Sequence, residues 1–386
     1  MTEPFLDPKP IPKPMEITEW LRGAREHHEG GTWGVVRDIM RAWRWPGRLK
    51  PYEYFMMGLY DAKRFTPEQR REFMGDRLRA MMRNKTLERE WLGVTTDKLL
   101  FLSAMKGQEL PVPDVLAVYH PFRRYAQAAQ LSDGAAVADW LRQGASFPFF
   151  SKPVEGTGSS GVASIEGYEP YNDCLISADG RRVPVEQFVK EIARYRERGY
   201  IFQERIVTHP DLEPVCGSGI TGCRILVRMQ DGEPHLHRAT WKIRVITTIA
   251  DNFWRSGNML GAVDPLTGEI TRVVSGISIH TKEVNEHPET GAQLVGFKLP
   301  EWEAVRETCL AAAATFPALW IQGWDISISA NGPLIFEVEG DGGAAHMIQH
   351  AQGKGLLEPD HLAFLEAWEE SSKARKASIT SRRRKS

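Results

Sequence analysis

The chain has 386 residues, 42% of them hydrophobic and 26% charged, which sits near the globular average and fits collagen-like, disordered or membrane-embedded classes poorly. At roughly 100–200 residues per domain, this length predicts two or three lobes. The net charge of −1 hides an asymmetry: the last sixteen residues hold seven Lys or Arg and no acid, leaving 42 basic against 50 acidic groups, a net of −8, in the rest.

Residues 1–14, with Pro4, Pro8, Pro10, Pro12 and Pro14, are expected to form an extended tail rather than a packed element. They contain neither a positive n-region nor an apolar h-region, so a cytoplasmic location is expected. Residues 15–84 read as helical, because ITEWLRGAREHH, TWGVVRDIMRAW and FTPEQRREFMGDRLRAMMRN place apolar side chains three or four apart. Within this region Thr66-Pro67-Glu68-Gln69 has the form of a helix start, with Thr66 as N-cap and Gln69 completing a capping box.

Residues 85–140 lead into the main domain through a helix at TTDKLLFLSAMKG, an extended PVPDVLAVY and a helix at AAVADWLRQG. From 141 to 370 the pattern is that of an α+β domain. FPFFSKPVEGTGSSGVASIEG reads as strand, glycine loop and strand; a hairpin, a helix over 185–198 and the strand YIFQERI follow. CRILVRM and HRATWKIRV alternate as strands, EWEAVRETCLAAAATF is a helix, and a final hairpin closes the domain. The absence of regular βαβ alternation argues for α+β lobes rather than a doubly wound sheet.

The most apolar stretch, 309–321, is interrupted by Thr315 and Pro317 and falls short of the roughly 18 apolar residues a spanning helix needs. Cys174, Cys216, Cys223 and Cys309 form no CxxC pair or zinc spacing, which fits free thiols. The basic tail, 371–386, offers a surface for nucleic acid or an anionic membrane, or is simply a solvated end.

Two segments carry chemistry. In SKPVEGTGSSGVASI, Gly156, Gly158 and Gly161 leave backbone N–H groups free to curl around an anion. Lys152 precedes the glycines and a strand follows them, the reverse of a P-loop. The segment therefore reads as a hairpin closing over a nucleotide with Lys152, Ser159 and Ser160 as donors, or as a flexible surface hairpin. In GWDISISANGPLIFEVEGDGG, the even positions Trp324, Ile326, Ile328, Leu334, Phe336 and Val338 are all apolar and define one buried face. Pairing Ile326 with Phe336 and Ile328 with Leu334 leaves a three-residue loop at 330–332. It also sets Asp325 opposite Glu337, with Glu339 beside them. Carboxylates so close need a cation, a shared proton or full solvent exposure, and Mg2+ is the natural cation.

With these segments in view, the chain resembles the ATP-grasp superfamily, in particular its sugar-transfer-associated or glutamate-ligase-related subgroup. The elements TTDK, FSKPVEGTGSSG, YIFQERI, TGCRILV, ATWKI, DNFWRSGN, HPETG, GWDISI and FEVEG occur in the family's order over about 95–343. The resemblance implies two α+β lobes clasping ATP, preceded here by the helical N-terminal region. It implies that Lys98 and Lys152 touch ATP phosphates under the loop at 156–161. The backbone at Gln203, Glu204 and Ile206 would meet adenine, and Asp211 or Glu213 the ribose. Arg224 and Lys242 match the positions that neutralise the transferred phosphoryl group, and Asp325, Glu337 and Glu339 the magnesium positions, with Glu339 standing where many members have Asn. Asp251, Asn252, Arg255 and Asn258 fall where the family lines its acceptor pocket. His346 and His350 stand ready as base or acceptor contacts, or as structural histidines.

The implied activity is an ADP-forming carboxylate–amine ligase, with ATP and Mg2+ as cofactors and a small-molecule carboxylate and a nucleophile as substrates. A kinase acting on a small-molecule hydroxyl and a non-catalytic nucleotide-binding scaffold are the alternatives.

Overall fold

The computed structural model describes residues 4–6, 17–86, 91–156, 160–246, 251, 253, 256–340, 343 and 345–383. Five helices come first: α1 (Ile17–His27), α2 (Gly31–Ala42), α3 (Pro51–Met56), α4 (Pro67–Arg71) and α5 (Asp76–Thr86). They bury their own aromatic core, including Trp20, Tyr54, Phe55, Phe65 and Phe73. The helix start at Thr66 forms as its sequence predicts: Thr66 Oγ1 accepts from the Gln69 N–H at 3.3 Å, and Gln69 Oε1 accepts from the Thr66 N–H at 2.9 Å. The single periodic run FTPEQRREFMGDRLRAMMRN is nevertheless two helices, broken around Gly75. There the buried Glu53 carboxylate accepts from the Asp76 and Lys50 N–H groups, both at 2.6 Å.

Among the described residues the strands form two seven-stranded sheets. Helices α6 (Leu92–Thr96) and α7 (Lys98–Gly107) lead into the first. Its strands are β1 (Val115–Tyr119), β2 (Ala129–Leu131), β3 (Phe149–Pro153), β4 (Ala163–Glu169), β5 (Cys174–Ser177), β6 (Arg182–Pro184) and β7 (Tyr200–Glu204), in the spatial order β2-β1-β7-β3-β4-β5-β6. Only β1 and β2 pair in parallel. Helices α8 (Gly134–Gln143) and α9 (Val185–Ile192) cover one face, where Val137, Leu141, Phe149, Phe188 and Phe202 share a core. The helix expected over 185–198 stops at Ile192 and tightens into a 3-10 turn.

The N-terminal segment departs from a free tail where it is described. Phe5 and Leu6 are buried, and their N–H groups donate to the Glu191 carboxylate at 2.9 and 2.7 Å. Those bonds hold Glu191 below the usual carboxylate range against the opposing effect of its burial. The rest of 1–14 lies outside the described residues.

After α10 (Glu213–Cys216), the second sheet is wholly antiparallel: β8 (Gly222–Gln230), β9 (Glu233–Ile243), β10 (Met259–Val263), β11 (Ile270–Ser275), β12 (Lys282–Glu283), β13 (Ile321–Ser329) and β14 (Gly332–Glu339), ordered β12-β11-β10-β9-β8-β13-β14. Strand β8 is buried on both faces, and its alternation divides the lobe. Cys223, Ile225 and Val227 join the core under α11 (Trp302–Ala314), while Leu226 and Arg228 meet α12 (Ala345–Gln352) and α13 (Pro359–Arg383) on the other side. Arg224 lies on that second side, deep in the cleft between the sheets. Helix α13 runs through most of the basic segment 371–386. No helix among the described residues is long and apolar enough to cross a membrane.

The final hairpin corrects the expected register. Asp325 does pair with Glu337, but beyond it Ile326 pairs with Ile335, Ser327 with Leu334 and Ile328 with Pro333, so Ile326 does not face Phe336. The loop is the two-residue Ala330-Asn331, held by Ser329 Oγ, which donates to the Gly332 carbonyl at 2.7 Å and accepts from the Asn331 N–H at 3.1 Å. The tighter turn takes up one residue less, and a bulge between Asp325 and Ile326 absorbs the difference. Ile335 is buried in place of Phe336, and Phe336 stands on the same face as the carboxylates.

Candidate active site

The cleft face of the second sheet is built by three neighbouring strands. Asp325 on β13 lies directly opposite Arg224 on β8, and Lys242 projects from β9 on the far side of β8. The planar Arg224 guanidinium grips Asp325 with both prongs, Nε to Oδ1 at 2.6 Å and Nη2 to Oδ2 at 2.9 Å. Its Nη1 is 3.1 Å from Glu339 Oε1. Lys242 Nζ lies 3.4 Å from Asp325 Oδ2 and 3.2 Å from Asp251 Oδ2, and the same Asp251 oxygen accepts from the Gly222 N–H at 2.8 Å.

Burial opposes every charge here, and the partners overcome it for three of them. Asp325 is held well below the usual carboxylate range by Arg224 and Lys242, Arg224 is pushed up by Asp325 and Glu339, and Lys242 by Asp251 and Asp325. Glu337 is the exception: burial, then the neighbouring Asp325, push its carboxyl up.

The opposite wall presents two lysines. Lys98 opens α7 behind Asp97, whose carboxylate caps the helix by accepting from Leu99 and Leu100 N–H groups at 2.9 and 3.0 Å and is gripped by Arg123. Lys98 Nζ donates to the Gly156 carbonyl at 3.1 Å and stands 4.0 Å from Glu337 Oε2, so it bridges the base of the glycine loop and the carboxylates. Lys152 lies on the half-buried face of β3, opposite the buried Phe149 and Ser151, with Nζ 5.6 Å from the centre of the Phe336 ring. Burial, then Lys98, lowers its ammonium to about 8.

The glycine loop itself is partly described. Gly161 has φ +74°, and a Cβ there would collide with the Tyr195 hydroxyl, so only glycine fits. Gly156 (φ +154°) is exposed and Ser160 half-buried, while Gly158 and Ser159 lie outside the described residues. On β7, Gln203 is buried between β1 and β3, and the Glu204 N–H already donates to the Asp114 carbonyl at 3.0 Å. The Glu204 N–H is thus already taken, and Gln203 has strand neighbours on both sides. The backbone of Ile206, just past the strand, has no hydrogen-bond partner among the described residues.

Asp211 and Glu213 are exposed. Asn258 is buried and accepts from the Val245 N–H at 3.0 Å, whereas Asn252 and Arg255 lie outside the described residues. The two histidines separate. His350 Nε2 donates to the Gly276 carbonyl at 2.8 Å, a structural bond, and burial lowers the His346 imidazole to about 4 with Asp76, Arg79 and Glu339 around it.

The structure adds Phe336 and Arg244 to the cleft face. The signal for Phe336 was Pro333, which cannot donate to a ladder and favours an irregular edge strand. Arg244 lies two residues after Lys242, directly past the end of β9. Among the described residues no three His, Cys, Asp or Glu side chains form a ready-made metal cage.

This chain matches the family described as sugar-transfer associated ATP-grasp over residues 77–362, well over half its length. It belongs to that family. Comparison with curated proteins returns no match. Among solved structures, the ATP-grasp chain is similar to a D-alanine–D-alanine ligase from Bacillus anthracis at 13% identity and a TM-score of 0.39, covering 73% of this chain and 70% of that one. A D-alanine–D-alanine ligase from Coxiella burnetii matches at 13% identity and TM-score 0.40, covering 75% and 62%, respectively. An L-amino acid ligase from Bacillus licheniformis matches at 13% and 0.37, covering 66% and 43%. The chain thus spans less than two thirds of the last two proteins.

Proposed function

We propose that this ATP-grasp chain is an Mg-ATP-dependent ligase that activates a small-molecule carboxylate as an acyl phosphate for attack by an amine or hydroxyl, releasing ADP and phosphate. The observation that carries this reading is the convergence on one cleft of Lys98, Lys152, Arg224 and Lys242 with Asp325, Glu337 and Glu339. Phosphoryl transfer asks the protein mainly for positioning and for neutralisation of charge spread over the phosphoryl oxygens.

In this reading, Lys98, Lys152 and the loop at 156–161 hold the ATP phosphates, with Gly156, Gly158, Ser159, Ser160 and Gly161 supplying donors. Ile206 offers its free backbone to adenine, with Gln203 and Glu204 as the strand that fixes it. Arg224 and Lys242 bear on the transferred phosphoryl group, kept rigid by Asp325. The donor set suits Mg2+, because Glu337 is a carboxyl crowded by Asp325 and Glu339, and a hard cation favours such oxygens. Asp325, Glu337 and Glu339 would hold it together with ATP oxygens, which is how Mg2+ is usually bound. When bound, the ion neutralises phosphate charge.

The reaction balances without a protein nucleophile. A carboxylate oxygen attacks the γ-phosphorus, the bond from that phosphorus to the bridging oxygen breaks, and ADP leaves with the electron pair. The amine then adds to the acyl carbon, phosphate leaves, and the surplus amine proton passes to solvent. The family's association with sugar transfer makes amino and hydroxyl groups of sugars worth including among the nucleophiles.

The test is ADP and phosphate release from Mg-ATP against a panel of carboxylic acids and amines, with Glu337→Gln in parallel. Turnover that needs both partners and is lost in the variant supports the ligase. A stable phosphorylated hydroxyl would replace it with a kinase, and ATP binding with no turnover across the panel with a nucleotide-binding scaffold.

A further inference from the structure

Four arginines are buried among the described residues: Arg70, Arg224, Arg228 and Arg244. Three have carboxylate partners, with Arg70 3.4 Å from Asp38, Arg224 2.6 Å from Asp325 and Arg228 3.1 Å from Asp360. Arg244 is only 8% exposed, yet among the described residues no carboxylate stands within ion-pair distance of it. Its Nη2 donates to the Ile246 carbonyl at 2.6 Å, and its Nε has no partner among the described residues. A buried charge without a counter-charge is costly, and buried guanidinium groups are ordinarily paired.

The position of this cation points to a ligand. Trp241, Ile243 and Val245 all enter the core beneath the sheet, so Lys242 and Arg244 project to the opposite, cleft face. Arg244 directly follows β9, and residues two apart in extended chain are about 7 Å apart, which sets Arg244 one step beyond the Lys242–Asp325 cluster. The backbone there is fixed by three side chains. His287 Nε2 donates to the Arg244 carbonyl at 2.9 Å, Asn258 Oδ1 accepts from the Val245 N–H at 3.0 Å, and Glu289 accepts from the Ile246 N–H. On the other side, a Cβ at Gly219 would run into Arg244 Nη1, so the glycine backbone lies close against the guanidinium. Asp251 and Glu289 act on the guanidinium only from beyond contact distance, and burial outweighs them; an arginine this constrained, with no carboxylate touching it among the described residues, is built to receive an anion.

We propose that Arg244 is the specificity-determining residue of the acceptor subsite: it binds an anionic group, a carboxylate or phosphate, that the acceptor carries in addition to the group that reacts. This rests on the nucleotide cleft proposed above, because the Lys242–Asp325 cluster marks where the phosphoryl group is transferred. The acceptor is then at least a dianion, and a monocarboxylate of similar size is a poor substrate. The planar fork of arginine suits such recognition better than a lysine point charge does.

The experiment is calorimetric titration of the full chain, saturated with Mg-ADP, with succinate, glutarate and 3-phosphopropionate, and with butyrate as the monoanion. The expected result is that at least one dianion binds ten times or more tightly than butyrate. Arg244→Gln removes that preference and Arg244→Lys reduces it, while the affinity for Mg-ADP stays within twofold of wild type. Preference for 3-phosphopropionate over both dicarboxylates assigns a phosphate to the subsite, and the reverse assigns a carboxylate. If Arg244→Gln does not fold, Arg244→Lys decides by the same criterion. Dianion binding unchanged in the variant, or no preference for any dianion, overturns the proposal. Failure of Mg-ADP to bind at all refutes the nucleotide reading instead, and the same titrations on the nucleotide-free chain then judge Arg244 by itself.

Discussion

Replacing Asp325 with Asn keeps the side-chain shape but removes the negative charge on which two buried cations converge. In the native cleft Asp325 accepts from Arg224 at 2.6 and 2.9 Å and lies 3.4 Å from Lys242 Nζ. In the variant, the ion-pair partners left among the described residues are Glu339 for Arg224 and Asp251 for Lys242, and the Asn amide turns a donor toward other donors. Breaking a buried ion pair from one side typically costs about 3–5 kcal/mol, because the remaining charge stays buried without compensation. At about 2.1 cal/mol/K of unfolding entropy per residue, a chain of this length responds with a fall in Tm of roughly 4–6 °C.

Calorimetric melting at pH 7 measures this, and replacing both partners, Asp325→Leu with Arg224→Met, is expected to recover part of the loss. Because the native Asp325 carboxyl is depressed, its contribution is present above the ordinary carboxyl value of 3.8 and is lost as pH falls below it. The Asn variant therefore loses stability at neutral pH and becomes less sensitive to acid. An unchanged or higher Tm at pH 7 would refute the idea that Asp325 holds the cleft cations in place.

Three further outcomes follow from other sites. Lys152 titrates at about 8 in the free protein, and bound phosphate favours its charged form, so ADP affinity falls by up to tenfold per pH unit above 8; a flat profile from pH 7 to 9.5 in calorimetry would remove Lys152 from the phosphate site. Gln349 ties the N-terminal helices to the second lobe, accepting from the Met74 and Leu356 N–H groups at 2.7 and 3.1 Å and donating to the Met74 carbonyl at 2.9 Å. Gln349→Leu strands those buried groups, each costing about 1–3 kcal/mol, and urea unfolding is expected to show a loss of at least the lower figure. His361 stacks on His237 at 5.1 Å, and burial lowers it to about 4. Its folded-state value lies below the ordinary imidazole value of 6.5, so stability is full above 6.5 and is lost as pH falls toward 4; in His361→Phe, melting curves between pH 7 and 4 should show a shallower decline.

Much of the fold was legible because its signals are local. The Thr66 capping box, the strands at 222–230 and 233–243 and the helix opening at Trp302 all follow from capping chemistry or periodicity. The Asp325–Glu337 pairing was legible too, since burial of one face constrains register strongly. The hairpin tip was not, because choosing between a two-residue and a three-residue turn depended on the Ser329 hydroxyl and on a bulge that periodicity does not reveal. The anchoring of Phe5 and Leu6 by Glu191 was hidden because it joins residues nearly two hundred positions apart. Arg244 escaped notice for a related reason: in sequence a lone arginine is ordinary, and only the three-dimensional count of its partners singles it out.

The central claim is that ATP activates a carboxylate by phosphorylating it. Its most direct test labels the carboxyl oxygens of the acid that supports turnover with 18O and follows the label by mass spectrometry of the released phosphate. An acyl phosphate intermediate predicts one labelled oxygen in each phosphate formed. Product formation with unlabelled phosphate would contradict the account, because the carboxylate would then never have bonded to phosphorus.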